Sequence, residues 1–149
     1  MTSPVSKGLF VFALFLLVGV AVIAGRPTEG WAGSTGHVTT ADFGSRVLEA
    51  GRPVVVQFDA SWCPFCRKVR PYIDALASRK GGAVDVYRLD VDASKAVASY
   101  YQVQSLPTII IFVDGDEYAR YEGAPEQQEL FDWVDEMTSA LAPAEDDDL

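Results

Sequence analysis

Cys63 and Cys66 are the only cysteines in 149 residues, and their separation by three positions constrains the chain more than any other feature. Two thiols at that spacing can close on each other, and Pro64 stands directly behind the first. If the segment opens a helix, Cys63 lies in the first turn, where unpaired backbone N–H groups and the positive end of the helix dipole favour thiolate over thiol. Cys63 is then the nucleophile. Cys66, one turn further in and less exposed, becomes the resolving thiol that attacks a mixed disulfide and frees the partner.

The flanks supply the context such a pair needs. Upstream, Pro53-Val54-Val55-Val56-Gln57-Phe58-Asp59 is a short apolar run rich in β-branched residues, the pattern of a buried strand. Downstream, Val69, Tyr72, Ile73 and Leu76 recur at helical spacing with Lys and Arg on the other face. A strand therefore delivers the pair to a helix N-terminus.

On these residues the chain resembles the thioredoxin family, from about Val38 to about Leu141. The matching pieces stand in family order: Val55-Val56-Gln57-Phe58-Asp59-Ala60-Ser61-Trp62-Cys63-Pro64-Phe65-Cys66, then Pro71, Tyr87 to Asp92, Ser105-Leu106-Pro107-Thr108, and Gly123-Ala124. The resemblance implies an α/β thioredoxin fold, a central mixed sheet flanked by helices, with Pro71 at the point where the active-site helix kinks. It also implies a cis Pro107 facing the cysteines, beside backbone that pairs with an extended substrate. Trp62, Leu106, Pro107, Gly123 and Ala124 become the substrate-binding residues, and Trp62, Pro64, Phe65, Leu106, Pro107 and Ala124 make a mostly apolar rim around Cys63, suited to a protein loop.

Two features depart from the family pattern. Thioredoxins usually carry a buried acidic residue six positions before the first cysteine, and Gln57 stands there. An amide cannot take the proton of Cys66, although it can hydrogen-bond there. Asp59, two residues along the same strand and so on the same face, is a candidate acceptor in its stead; an exposed strand-end carboxylate is the competing reading. The dipeptide Pro64-Phe65 resembles the glutaredoxin pattern, whereas Trp62 and the length resemble thioredoxin. Gln57, Asp59, Pro64 and Phe65 are accordingly the redox-tuning candidates.

Residues Gly8 to Gly25 form 18 positions without a charge, between Lys7 and Arg26. As a helix they would extend about 27 Å, close to the hydrocarbon thickness of a bilayer. Residues 1–25 therefore read as a membrane anchor, with a signal segment cleaved near Ala24 as the alternative. The amino terminus and Lys7 outweigh Arg26, so the positive-inside bias places the N-terminus in the cytoplasm and the domain outside it. Residues 26–37, rich in Gly, Thr and Ser, read as a flexible linker, 38–142 as the domain, and 143–149 as an acidic tail.

Within the domain, Thr39 and Thr40 are candidate caps for a helix over Ala41 to Glu49, with Phe43, Val47 and Leu48 inward and Gly51 ending it. Val84 to Val91 reads as a second buried strand, parallel to the first. Ser94 to Tyr101 reads as a short helix. Asp114-Gly115 predicts a tight hairpin between Ile109–Val113 and Glu117–Glu122. A last helix is expected from Pro125, with Leu130, Val134, Met137 and Leu141 packing it on the sheet.

With 12 basic and 21 acidic residues the net charge is −9, which disfavours phosphate backbones, so no nucleic-acid partner is expected. His37 is the lone histidine and reads as solvated, and no metal site is expected. The reading is a thiol-disulfide oxidoreductase acting on protein thiols and disulfides, as a reductant before an oxidant or isomerase, tethered through residues 8–25. It needs a redox partner to recharge it and no cofactor beyond the Cys63–Cys66 disulfide. Two other classes stand beside it: a peptide-binding module with a structural disulfide, and metal delivery through the two thiolates.

Overall fold

The computed structural model describes residues 33–141. The expected anchor at residues 8–25, most of the linker and the acidic tail lie outside the described residues. Among the described residues, no helix is long and apolar enough to cross a membrane.

Five strands form one mixed sheet: β1 Gly36–His37, β2 Val54–Asp59, β3 Asp85–Asp90, β4 Thr108–Val113 and β5 Asp116–Glu122, in the order β1-β3-β2-β4-β5. β1, β3 and β2 run parallel, β4 is antiparallel to β2, and β5 is antiparallel to β4. The central strand β2 buries all six of its residues, because both faces of the sheet are covered. On one face, α1 (Pro64–Lys80) and α3 (Gln127–Ser139) pack Val69, Ile73, Leu76, Leu130 and Val134 onto Val55, Ile109 and Ile111. On the other, Phe43, Val47 and α2 (Lys95–Tyr100) cover Val54, Val56, Phe58, Ile110 and Phe112. Strand periodicity thus sends Val55, Gln57 and Asp59 to the α1 face and Val54, Val56 and Phe58 to the other.

The hairpin turn is as predicted. Asp114 and Gly115 both have positive φ, 51° and 91°, as a tight turn matching the strand twist requires. Val113 pairs with Asp116 across it.

Three elements differ from the sequence reading. Gly36 and His37, assigned to the linker by composition, pair with Tyr87 and Arg88 as an edge strand, and Val38 behind them is buried. Gly36 suits this place, since a Cβ there would come within 2.7 Å of the Tyr87 ring. The first helix is a π-helical turn over Gly44–Leu48, closed by Glu49 N–H donating to the Gly44 carbonyl at 3.0 Å. Phe43 and Val47 are nevertheless buried as expected, and Leu48 is partly so. The last helix starts two residues after Pro125, with Glu126 and Glu129 forming a reciprocal capping box.

Among the described residues no side chain caps that π-turn, so the expected threonine caps are not made, and the segment before it is held instead by Asp42. Asp42 Oδ1 accepts from the Thr39 amide at 2.6 Å and from the Thr39 hydroxyl at 2.7 Å, and Oδ2 pairs with Arg46 at 3.0 Å. Desolvation opposes the carboxylate, but the Thr39 amide and hydroxyl and the Arg46 guanidinium outweigh it and lower the Asp42 pKa to about 2. A carboxyl depressed in the folded state contributes stability above its ordinary pKa, and that contribution is lost as pH falls through the folded value. Acid unfolding should therefore retain the Asp42 contribution above about pH 4 and lose it towards about pH 2. Asp42→Asn should flatten that part of the stability profile, measured by denaturant titration across the range. An unchanged profile would contradict the assignment. Solvent screening of this partly exposed pair keeps the effect small.

Candidate active site

The local sequence accounts for where the cysteines sit. β2 ends at Asp59, and a tight turn then brings the Cys63 amide to the Ala60 carbonyl at 3.2 Å. Cys63 itself is the N-cap of α1, with extended backbone, and Pro64 occupies the first turn, where no amide partner is needed. The Cys63 sulfur accepts a hydrogen bond from the Cys66 amide at 3.1 Å. Cys63 and Cys66 are joined by a disulfide across a Cα–Cα distance of 5.3 Å.

The two sulfurs occupy different surroundings. Cys66 is fully buried, whereas Cys63, at 3 % exposure, lines an open cleft of about 420 Å³. Trp62, Pro64, Phe65, Val91, Val103, Gln104 and Leu106 make up the rest of its wall. Trp62 and Phe65 stand out into solvent at 65 % and 63 % exposure, so two aromatic side chains of the cleft wall are open to a partner. Trp62 is not loose. Its indole N–H donates to Asp92 Oδ2 at 2.8 Å, and Asp90 Oδ1 caps the same turn by accepting from the Asp92 and Ala93 amides.

Of the substrate-binding residues expected from sequence, Trp62 and Leu106 line the cleft. The Leu106-Pro107 peptide is cis, and Pro107 is buried with its carbonyl accepting from the Gly123 amide at 2.9 Å. Gly123 and Ala124 follow β5, Ala124 against the core on the α1 face. Pro107, Gly123 and Ala124 are not on the cleft wall. Val91, Val103 and Gln104 are, although nothing in the sequence marks them beyond their apolar or neutral character in loops before and after α2.

The redox-tuning candidates separate. Gln57 is fully buried, its Nε2 donates to the Cys66 carbonyl at 3.4 Å, and its Oε1 has no hydrogen-bond partner among the described residues. Asp59, at 5 % exposure, is not the exposed strand-end carboxylate of the competing reading. Its Oδ2 accepts from Arg70 Nε at 2.8 Å. His37 is exposed, as expected.

The thioredoxin family model matches residues 34–136, which is most of the chain and all of the site. The chain belongs to the thioredoxin family. Among its relatives, a thioredoxin of Rickettsia felis is 34 % identical over 98 residues, covering 66 % of this chain and 93 % of that protein. A thioredoxin of Mycobacterium tuberculosis is 38 % identical over 97 residues, covering 65 % and 84 %. Thioredoxin 1 of Synechococcus elongatus is 39 % identical over 98 residues, covering 66 % and 92 %. Among solved structures, a single-site mutant of a thioredoxin from Halobacterium salinarum superimposes with a TM-score of 0.65 at 27 % identity, covering 72 % of this chain and 93 % of that one. The fold is thus the thioredoxin fold, and the chain is a thioredoxin-like protein-disulfide oxidoreductase with a close cysteine pair.

Proposed function

We propose that this thioredoxin-family chain reduces disulfides in protein substrates, with Cys63 as the attacking thiol and Cys66 as the resolving one. The observation that carries this reading is the asymmetry of the pair: Cys63 lines the open cleft, and Cys66 lies fully buried behind it. In the reduced protein the Cys63 thiolate attacks one sulfur of the substrate disulfide. A Cys63–substrate bond forms while the substrate bond breaks, and the other substrate sulfur leaves as thiolate. Cys66, as thiolate, then attacks Cys63 Sγ, which closes the Cys63–Cys66 bond and releases the second substrate sulfur. Two electrons have passed to the substrate. The position of Cys63 at a helix N-terminus, with the Cys66 amide aimed at its sulfur, supports the nucleophile role.

Trp62 and Leu106 hold the apolar part of the substrate segment, and the backbone around Pro107, Gly123 and Ala124 borders its path. Pro64 and Phe65 tune the pair from within the first turn. A dithiol donor restores the reduced state, and exchange needs no cofactor beyond the disulfide itself. Residues 8–25 tether the domain through the linker to a membrane, on its extracytoplasmic side, an arrangement supported by the 18 uncharged positions and by Lys7 before them.

Two experiments test this. The reduced protein should turn over insulin-type disulfides in the presence of a dithiol donor; no turnover would overturn the reductant reading. The full chain should fractionate with membranes and resist carbonate extraction, with the domain open to protease only from the extracytoplasmic side. A soluble mature chain beginning near Gly25 would overturn the tether.

A further inference from the structure

The release step poses a problem that Gln57 cannot solve. Cys66 must become a thiolate in a buried place, and burial in apolar surroundings favours the neutral thiol. The residue that reaches it on β2 is an amide, already donating to the Cys66 carbonyl.

Arg70 stands one helical turn after Cys66 on the same face of α1. Helical side chains lean toward the N-terminus of their helix, so its guanidinium comes to lie alongside the first turn rather than level with its own Cα. The hydrogen bonds agree. Nε donates to the buried Asp59 carboxylate at 2.8 Å, and Nη2 donates to the Ala60 carbonyl at 3.2 Å. That same carbonyl accepts the Cys63 amide at 3.2 Å, and Ala60 packs directly on Cys63 and Cys66. Nε and Nη2 share one edge of the guanidinium, so that edge spans from the Asp59 carboxylate to the Ala60 carbonyl at the cysteine turn.

We propose that Arg70 is a positioning residue for release: anchored by Asp59 and Ala60, its guanidinium holds positive charge beside Cys66 and favours the thiolate that must attack Cys63. This rests on the resolving role given to Cys66 above. Charge stabilisation takes the place of a proton acceptor, the Cys66 proton going to water. Asp59 acts through Arg70, as the group that fixes it and partly offsets its charge, and not as a base. The other charged side chains around the turn have separate engagements or point outward: Lys68 pairs with Glu126, Asp90 caps backbone amides, Asp92 holds the Trp62 indole, and Arg67 is exposed.

The test reads Cys66 alone. In a Cys63→Ser background Cys66 is the only thiol in the chain, and its ionisation is followed by thiolate ultraviolet absorbance and by the pH dependence of iodoacetamide alkylation. Arg70→Gln should lower the thiolate fraction at neutral pH by about tenfold, and Arg70→Lys should recover most of it. Asp59→Asn should raise that fraction. Because Arg70→Gln leaves a buried carboxylate unpaired, the change is also made in the Asp59→Asn background, where it should again lower the fraction. With Cys63 restored, Arg70→Gln should slow release of a preformed mixed disulfide at neutral pH and match the parent at high pH, which lost packing alone would not do. Superimposable Cys66 titrations with and without Arg70 in the Asp59→Asn background would overturn the proposal. The titration does not depend on substrate turnover, so failure of the reductant reading is seen separately, in the insulin-type assay.

Discussion

Replacing Cys63 with serine is expected to reduce protein-disulfide reduction to the uncatalysed background, whereas Cys66→Ser should retain attack and accumulate a stable mixed disulfide. The difference follows from geometry. Cys63 alone lines the cleft, so no substrate sulfur reaches Cys66 directly, and the Cys66→Ser protein keeps its nucleophile at the N-cap of α1. What it loses is the intramolecular attack that closes the Cys63–Cys66 bond. Non-reducing electrophoresis of each variant after incubation with a disulfide-containing protein measures this. Equal trapping by the two single variants would contradict the assignment of roles.

The second large effect concerns stability. Phe112 is 1 % exposed near the end of β4 and meets Phe43 and Tyr101 edge-on, with ring centroids 5.5 and 5.1 Å away. It therefore ties the π-helical turn and the end of α2 to the sheet. Phe112→Ala removes the ring and leaves a cavity that three elements must collapse to fill, a change that costs about 3–5 kcal/mol. Against a total of about 5–15 kcal/mol for a domain, the variant should lose much of its stability. The guanidinium midpoint measures it, and a loss below about 1 kcal/mol would contradict the central packing role of this ring. Trp62→Ala is the instructive contrast. At 65 % exposure it should barely move the midpoint, while weakening capture of substrate at the cleft.

Much of this fold was legible because its signals are local. β2 and β4 are continuous apolar runs, the Asp114-Gly115 turn carries its own backbone requirement, and Cys63 with Pro64 is a helix start in sequence as in space. β1 was not legible: two residues in a Gly- and Ser-rich stretch show no periodicity, and they become a strand only because β3 offers them an edge. The π-helical turn escaped for a different reason. Phe43 and Val47 face inward in either kind of helix, so side-chain pattern does not report a shift of one residue in the backbone bonds.

At the site, the cysteines could be read from their spacing, and the unusual Gln57 from the family resemblance. The partner of Asp59 could not, since Arg70 lies eleven residues away and reaches back along its helix to find it. Val91 and Val103 were also silent, because they join the cleft from segments before and after α2 that only tertiary packing sets beside Cys63.

Disulfide exchange at this site requires the Cys63–Cys66 bond to be an exchangeable redox couple, and its equilibrium reduction potential tests that most directly. The protein is equilibrated in dithiol buffers of graded poise and the fraction of free thiol is quantified. A reductant of this family should give a value near the roughly −270 mV of thioredoxin, and an oxidant one nearer about −120 mV. A potential below about −300 mV, where structural disulfides lie, would contradict the central claim.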